Sequence, residues 1–154
     1  MFLFSFGTRP EIIKQFPLIQ EMNRRKIPYK TLFSGQHEDL IKDFIDLIGQ
    51  PDYSFENIIT HGQSLNRLVS KIVESSDKLL NQNTDFKIIV QGDTSTAFAL
   101  ALSGFQNGND VIHVEAGLRT HNLQSPFPEE ANRTLVSKLA SFHFCPTQRS
   151  VDNL

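Results

Sequence analysis

Four short apolar runs, each closed by glycine and polar groups and each followed by a helical pattern, leave this chain very few folds. Phe2–Phe6 leads into Gly7-Thr8-Arg9-Pro10-Glu11, and Tyr29–Phe33 into Ser34-Gly35-Gln36-His37. Phe86–Val90 leads into Gln91-Gly92-Asp93-Thr94, and Val111–Val114 into Glu115-Ala116-Gly117-Leu118-Arg119. Runs apolar at successive positions suit strands covered on both faces, as in a parallel sheet. Helical periodicity between them completes a β-α alternation. The expected fold class is therefore α/β, a Rossmann-like doubly wound parallel sheet with helices on both faces. A length of 154 residues fits one such domain.

The helices are read from apolar spacing. Pro10 stands where a helix tolerates proline, and Ile12, Ile13, Phe16, Ile19 and Met22 continue it, with Pro17 expected to kink it or tighten its first turns. His37–Ile48 and Leu65–Leu80 are amphipathic, and Gly49–Thr60 reads as irregular. Thr94–Phe105 is apolar nearly all round and should be buried. Ala131–Ala140 marks a further helix, Phe142–Cys145 a short strand, and 147–154 the start of another helix.

Charge and composition narrow the partners. A net charge of -2 offers nothing to nucleic acid or an anionic membrane. No run is long enough to span a bilayer, and MFLFSF reads as a strand, not a signal peptide. One cysteine excludes an internal disulfide, so a cytoplasmic protein is expected.

Open α/β sheets bind ligands beyond the carboxyl ends of their strands, so those ends carry the candidate chemistry. The Gly7-Thr8 turn opens a helix whose free N–H groups suit an anion, and Arg9 adds a fork for phosphate. Lys14, one turn on, either faces the same edge or is solvated. Asp93 is either a helix N-cap or a functional carboxylate. Glu115 ends a buried strand without a capping role, so it needs a partner or a raised pKa. Glu129 and Glu130 open a helix after Ser125-Pro126-Phe127-Pro128, where the helix dipole depresses a carboxyl and crowding by Asp93 and Glu115 would raise it, with neither dominant on sequence alone. Carboxylates held close share protons, which supplies a donor and an acceptor for acid/base work. His113 should face a helix, and His37, His61, His121 and His143 lack metal-ligand spacing. Cys145 reads as core.

FGTRPEIIKQFPLI, SGQHEDL, VQGDTSTAFALAL and HVEAGLRTHNLQSPFPEEANRTL, in that order along the whole chain, closely resemble the bacterial non-hydrolysing UDP-N-acetylglucosamine 2-epimerases. The last two motifs are specific. The resemblance implies the N-terminal domain, residues 1–154, of a two-domain fold similar to the GT-B glycosyltransferases. The nucleotide-binding C-terminal domain would be absent from this chain. It implies interconversion of UDP-GlcNAc and UDP-ManNAc at C2, by elimination and re-addition of UDP, for bacterial surface polysaccharide synthesis. By the same resemblance Asp93, Glu115 and Glu129 fall on the catalytic carboxylates, and Arg9 and Lys14 on the basic substrate positions. Gln36 and Gln63 fall near a site where some members bind UDP-GlcNAc as an effector. Gly62 stands where some of those members have arginine, Gln91 where the motif usually has histidine, and His121 where glycine is common. The resemblance implies a homodimer and no metal or other cofactor. Two other readings share the architecture: a GT-B-type glycosyltransferase domain, and a half-enzyme that assembles without turning over.

Overall fold

The computed structural model describes residues 1–35 and 41–154, with side chains throughout except at 41–44. In chain order the elements are β1 (Phe2–Phe6), α1 (Arg9–Arg24), β2 (Tyr29–Phe33), α2 (Ile41–Ile48), β3 (Tyr53–Ser54) and α3 (Leu65–Asn81). Then follow β4 (Lys87–Gln91), α4 (Ser95–Gln106), β5 (Asp110–Val114), α5 (Glu129–Leu139), β6 (Phe142–Phe144) and α6 (Gln148–Asp152). The strands form one parallel sheet in the order β3-β2-β1-β4-β5-β6. The chain winds outward from β1 in one direction and from β4 in the other. Their shared border is the topological switch point where such sheets bind ligands.

Side-chain alternation decides which helix covers which face. On one face Leu3, Leu32, Ile88, Val90 and Val111 meet Leu68, Ile72, Leu80, Leu100 and Val136 of α3, α4 and α5. On the other, Phe4, Phe6, Phe33, Ile89 and Ile112 meet Ile12, Ile19 and Met22 of α1. A one-residue slip would exchange the two sets, so double burial fixes the register. The all-apolar α4 is the most enclosed helix, with Ala97, Ala99, Leu100 and Ala101 at 0% exposure. Beside α1, among the described residues, the β4–β5–β6 half of the second face stays open. There Phe4, Ile89, Ile112, Val114 and Phe144 floor an apolar groove of about 300 Å³, walled by Leu18, Met22 and Ile27. Phe142 and Phe144 are 51% and 62% exposed.

Several expectations shift. Gly49–Thr60 is not wholly irregular, because Tyr53–Ser54 pairs with Leu32–Phe33 as β3. The first four residues of the predicted His37–Ile48 helix lie outside the described residues, as does Gln36. The helix runs on through Pro17. That position is exposed, so the carbonyl left without an N–H partner can face water. Phe86 is not in β4, since its N–H closes a turn onto the Asn83 carbonyl. Cys145 lies just past β6, half-buried.

Two left-handed glycines separate steric demand from backbone strain. Gly62 has φ +73° with open space around its Cα, whereas a Cβ on Gly117, φ +83°, would come within 1.9 Å of the Ser150 carbonyl of α6. Gly62→Ala should therefore cost only the left-handed strain, about 1 kcal/mol. Gly117→Ala should cost about 3 kcal/mol or more, because backbone must also move. Urea unfolding of both variants measures the difference.

Candidate active site

The β1–α1 turn does not leave its amides free for an outside anion, as its sequence suggests. Glu11, at the third position of α1 and only 2% exposed, turns back into it. Its Oε2 accepts hydrogen bonds from Gly7 N–H at 2.8 Å, Thr8 N–H at 2.6 Å and the Thr8 hydroxyl at 2.9 Å. The helix N-terminus thus holds a carboxyl group from its own chain, in a capping box. Burial pushes the Glu11 carboxyl above the usual glutamate range, against the donors from Thr94, Gly7 and Thr8. Arg9 opens α1, exposed at the same end of the sheet.

Lys14 is engaged. Its ammonium lies 2.9 and 2.8 Å from the two oxygens of Glu115, across 101 positions of sequence. Glu115 follows β5 directly with φ +65°, a conformation that strains a non-glycine residue. Its carboxylate is 29% exposed and also accepts a hydrogen bond from the Gln91 amide at the end of β4. The partner that a carboxylate at a buried strand end requires is therefore Lys14, with Gln91 beside it. These residues, with Cys145 and Phe144, wall an open hollow of about 340 Å³ at the ends of β4 and β5.

Asp93 is not the cap of α4. Thr94 takes that position, its hydroxyl accepting from Ala97 N–H at 3.0 Å. The Asp93 side chain is released from capping and forms an ion pair with Arg133, a residue of α5 only 13% exposed. Burial pushes the Asp93 carboxyl above its ordinary value; Arg133 opposes this, and the charges of Glu129 and Glu115 reinforce it. The ion pair with Arg133 and a hydrogen bond from the Asn132 amide to the Asp93 carbonyl at 2.9 Å bring the start of α5 against this turn. Glu129 begins α5, half-buried.

Glu130, its neighbour, has a different task. It is 1% exposed, accepts from His121 N–H at 3.0 Å, and lies 3.5 Å from Arg133. Burial would raise its carboxyl, but donors from Thr120 and His121 and the charge of Arg133 bring it below the usual range. Arg133 therefore bridges a site carboxylate and a loop-bracing one. The (i, i+3) spacing of Glu130 and Arg133 is a legible helix pairing, though nothing local points to Asp93.

His113 does face the helices, at 0% exposure, and its Nε2 pairs with the Gly92 carbonyl at 2.8 Å. Donation from Nε2 leaves Nδ1 as the buried atom without a partner. Burial pulls its pKa down to about 4, so the ring is neutral at pH 7. Gln63 is used within its own loop: its amide donates to the Ile58 carbonyl at 3.1 Å and accepts from Thr60 N–H at 3.2 Å. Among the described residues no cluster of histidine, cysteine, aspartate or glutamate could hold a metal ion. No helix among them is long and apolar enough to cross a membrane.

Residues 20–154 match the family model described as UDP-N-acetylglucosamine 2-epimerase. A UDP-N-acetylglucosamine 2-epimerase of Salmonella borreze is 46% identical over 99% of the chain and 40% of its own length. The Neisseria meningitidis enzyme, solved bound to UDP-GlcNAc, superposes with a TM-score of 0.90 at 40% identity, over 99% of this chain and 41% of that one. The Methanocaldococcus jannaschii enzyme, solved with UDP-GlcNAc and UDP, gives 0.89 at 34% identity, over 99% and 42%. The chain therefore spans about 40% of the length of the curated relatives it matches.

Two outcomes test the electrostatics. Arg133→Met removes the charge that opposes burial at Asp93, so the Asp93 carboxyl should titrate still higher in a carbon-13 NMR pH series. The depressed His113 pKa gives a stability contribution that is complete above pH 6.5 and lost as pH falls towards about 4, because the unfolded chain takes up the proton first. Urea unfolding at pH 7 and pH 4.5 should show a smaller acid loss for His113→Phe than for the wild-type chain.

Proposed function

The chain belongs to the UDP-N-acetylglucosamine 2-epimerase family, and we propose that it supplies one wall of an enzyme interconverting UDP-GlcNAc and UDP-ManNAc. The observation that supports this reading is the placement of Asp93 after β4, Glu115 after β5 and Glu129 at the start of α5, whose Asn132 and Arg133 contact Asp93, with Lys14 against Glu115. That is a concentration of proton-transfer groups, next to a cation, where an α/β sheet binds its ligand. The relatives span well beyond this chain, so we assign catalysis to a longer polypeptide in which residues 1–154 form the N-terminal domain. A second, nucleotide-binding domain would supply the opposite wall.

The chemistry follows from the substrate. The C2 proton of UDP-GlcNAc has no adjacent carbonyl, so direct removal would leave an unstabilised carbanion. Elimination avoids this: the C2–H and C1–O bonds break, a carboxylate takes the proton, UDP departs, and a 2-acetamidoglucal remains. Return of a proton to the other face of C2 and of UDP oxygen to C1 gives the epimer. The step needs at least one carboxylate ionised and one able to donate, with positive charge for the departing diphosphate. Asp93 suits the donor, since burial already favours its protonated form. Glu115, with the Lys14 ammonium against both of its oxygens, is placed as the acceptor. Arg9 meets the diphosphate.

We further place the protein in the cytoplasm, where nucleotide sugars for surface polysaccharides are made, as a homodimer. The compartment rests on the lone cysteine and the family resemblance, and the homodimer on the resemblance. A UDP-GlcNAc effector at Gln36 and Gln63 would meet a Gln63 amide held by Ile58 and Thr60, with one N–H and one oxygen lone pair left for the ligand.

The test is isotopic. The whole gene product, with UDP-GlcNAc in deuterated water, should place deuterium at C2 and form UDP-ManNAc. Exchange by neither it nor the 154-residue chain would refute the reading. Glu115→Gln should abolish exchange while the circular dichroism of the folded protein is unchanged.

A further inference from the structure

Glu11 belongs to two loops at once. Its Oε2 gathers three donors from the β1–α1 turn, and its Oε1 accepts the Thr94 hydroxyl at 2.6 Å, across 83 positions of sequence. That same hydroxyl oxygen accepts from Ala97 N–H and so caps α4. One carboxylate therefore organises the N-termini of two helices that begin on either side of the switch point. There is no slack beside it. A Cβ on Gly7 would lie 2.2 Å from the Thr96 hydroxyl oxygen and 2.8 Å from that of Ser34, and these two hydroxyls are themselves 3.0 Å apart. The ends of β1, β2 and β4 are thus locked by short polar contacts, with Glu11 at 2% exposure inside them.

The chain neighbours of these contacts are Arg9 and Asp93. We propose that Glu11 is a positioning residue for the nucleotide-sugar site. Through the Thr94 hydroxyl it sets the distance between the Arg9 loop and the Asp93 loop. This rests on the reading that both loops face a UDP-sugar. Glu11 touches no substrate itself: its oxygens are filled by the chain's own donors. A capping box alone needs only Thr8 and Glu11, and the Thr94 contact is what joins the second loop. Displacing either loop would leave a buried carboxylate short of a donor, which costs more than the bond itself contributed.

Thr94→Val removes the shared donor, and Thr94→Ser keeps it. In the 154-residue chain, nitrogen-15 NMR should show the Gly7 and Thr8 amides shifted by Val and restored by Ser. In the whole gene product, Val should weaken UDP-GlcNAc binding roughly tenfold at a temperature where it stays folded, and Ser should restore it. Glu11→Gln serves if Val unfolds α4; it retains the shape but reverses the donor towards Thr94, so the same amides should move and binding should weaken. Unmoved Gly7 and Thr8 amides would overturn the latch. Moved amides with unchanged binding would overturn its role in the site. If the wild-type protein binds no UDP-GlcNAc while the amides still respond, the proposed function fails and the positioning role falls with it, although the two loops remain coupled.

Discussion

The pairing of β1 with β4 is the contact on which the rest depends. These strands are separated by most of the chain's first half, yet Phe2, Leu3 and Phe4 align with Lys87, Ile88 and Ile89. The pairing brings the turn after Phe6 against the turn after Gln91, and every group of the candidate site sits within reach of those turns. Because successive side chains enter opposite cores, the register cannot slip without turning both faces inside out. Precision at the strand ends is therefore a by-product of apolar packing several residues away.

The polar layer above the strands then divides its charges by depth. Glu11 and Glu130, almost fully enclosed, turn inward: Glu11 to amides and hydroxyls of its own turn and to the Thr94 hydroxyl of the next loop, Glu130 to the His121 amide and Arg133. Asp93 and Glu115, partly exposed, are each held by one cation, Arg133 and Lys14. The inner pair braces the turns that carry the outer pair, and the outer pair keeps a solvent-facing side. Pre-organisation of this kind requires that supporting groups be satisfied internally.

Much of this was legible in the sequence. Doubly buried strands write continuous apolar runs, so β1, β4 and β5 are visible, and the all-apolar α4 declares its burial. β3 is two residues long and has no pattern to read. The candidate carboxylates are visible because charge at the end of an apolar strand demands a reason. Their partners are less so. Lys14 reaches Glu115 over 101 positions and Thr94 reaches Glu11 over 83, and no local spacing encodes such contacts. The same blindness explains the anion-binding turn: Gly7-Thr8-Arg9 looks vacant until Glu11 folds back into it. Asp93 and Thr94 compete for one cap position, and only the folded backbone decides between neighbours of similar chemistry.

The open half of the second face has a physical consequence of its own. Both borders of the sheet are blunt, because β3 and β6 have two and three residues. Such short borders offer little backbone for strand-to-strand stacking between molecules. The exposed rings of Phe142 and Phe144 lie on the open face instead. Self-association of the isolated chain would therefore proceed through side chains and not through an extended ladder. It would carry a hydrophobic signature: weaker on cooling, stronger with sulfate, and little disturbed by moderate sodium chloride. Crowded preparations should form compact clusters that melt in the cold, and not fibres.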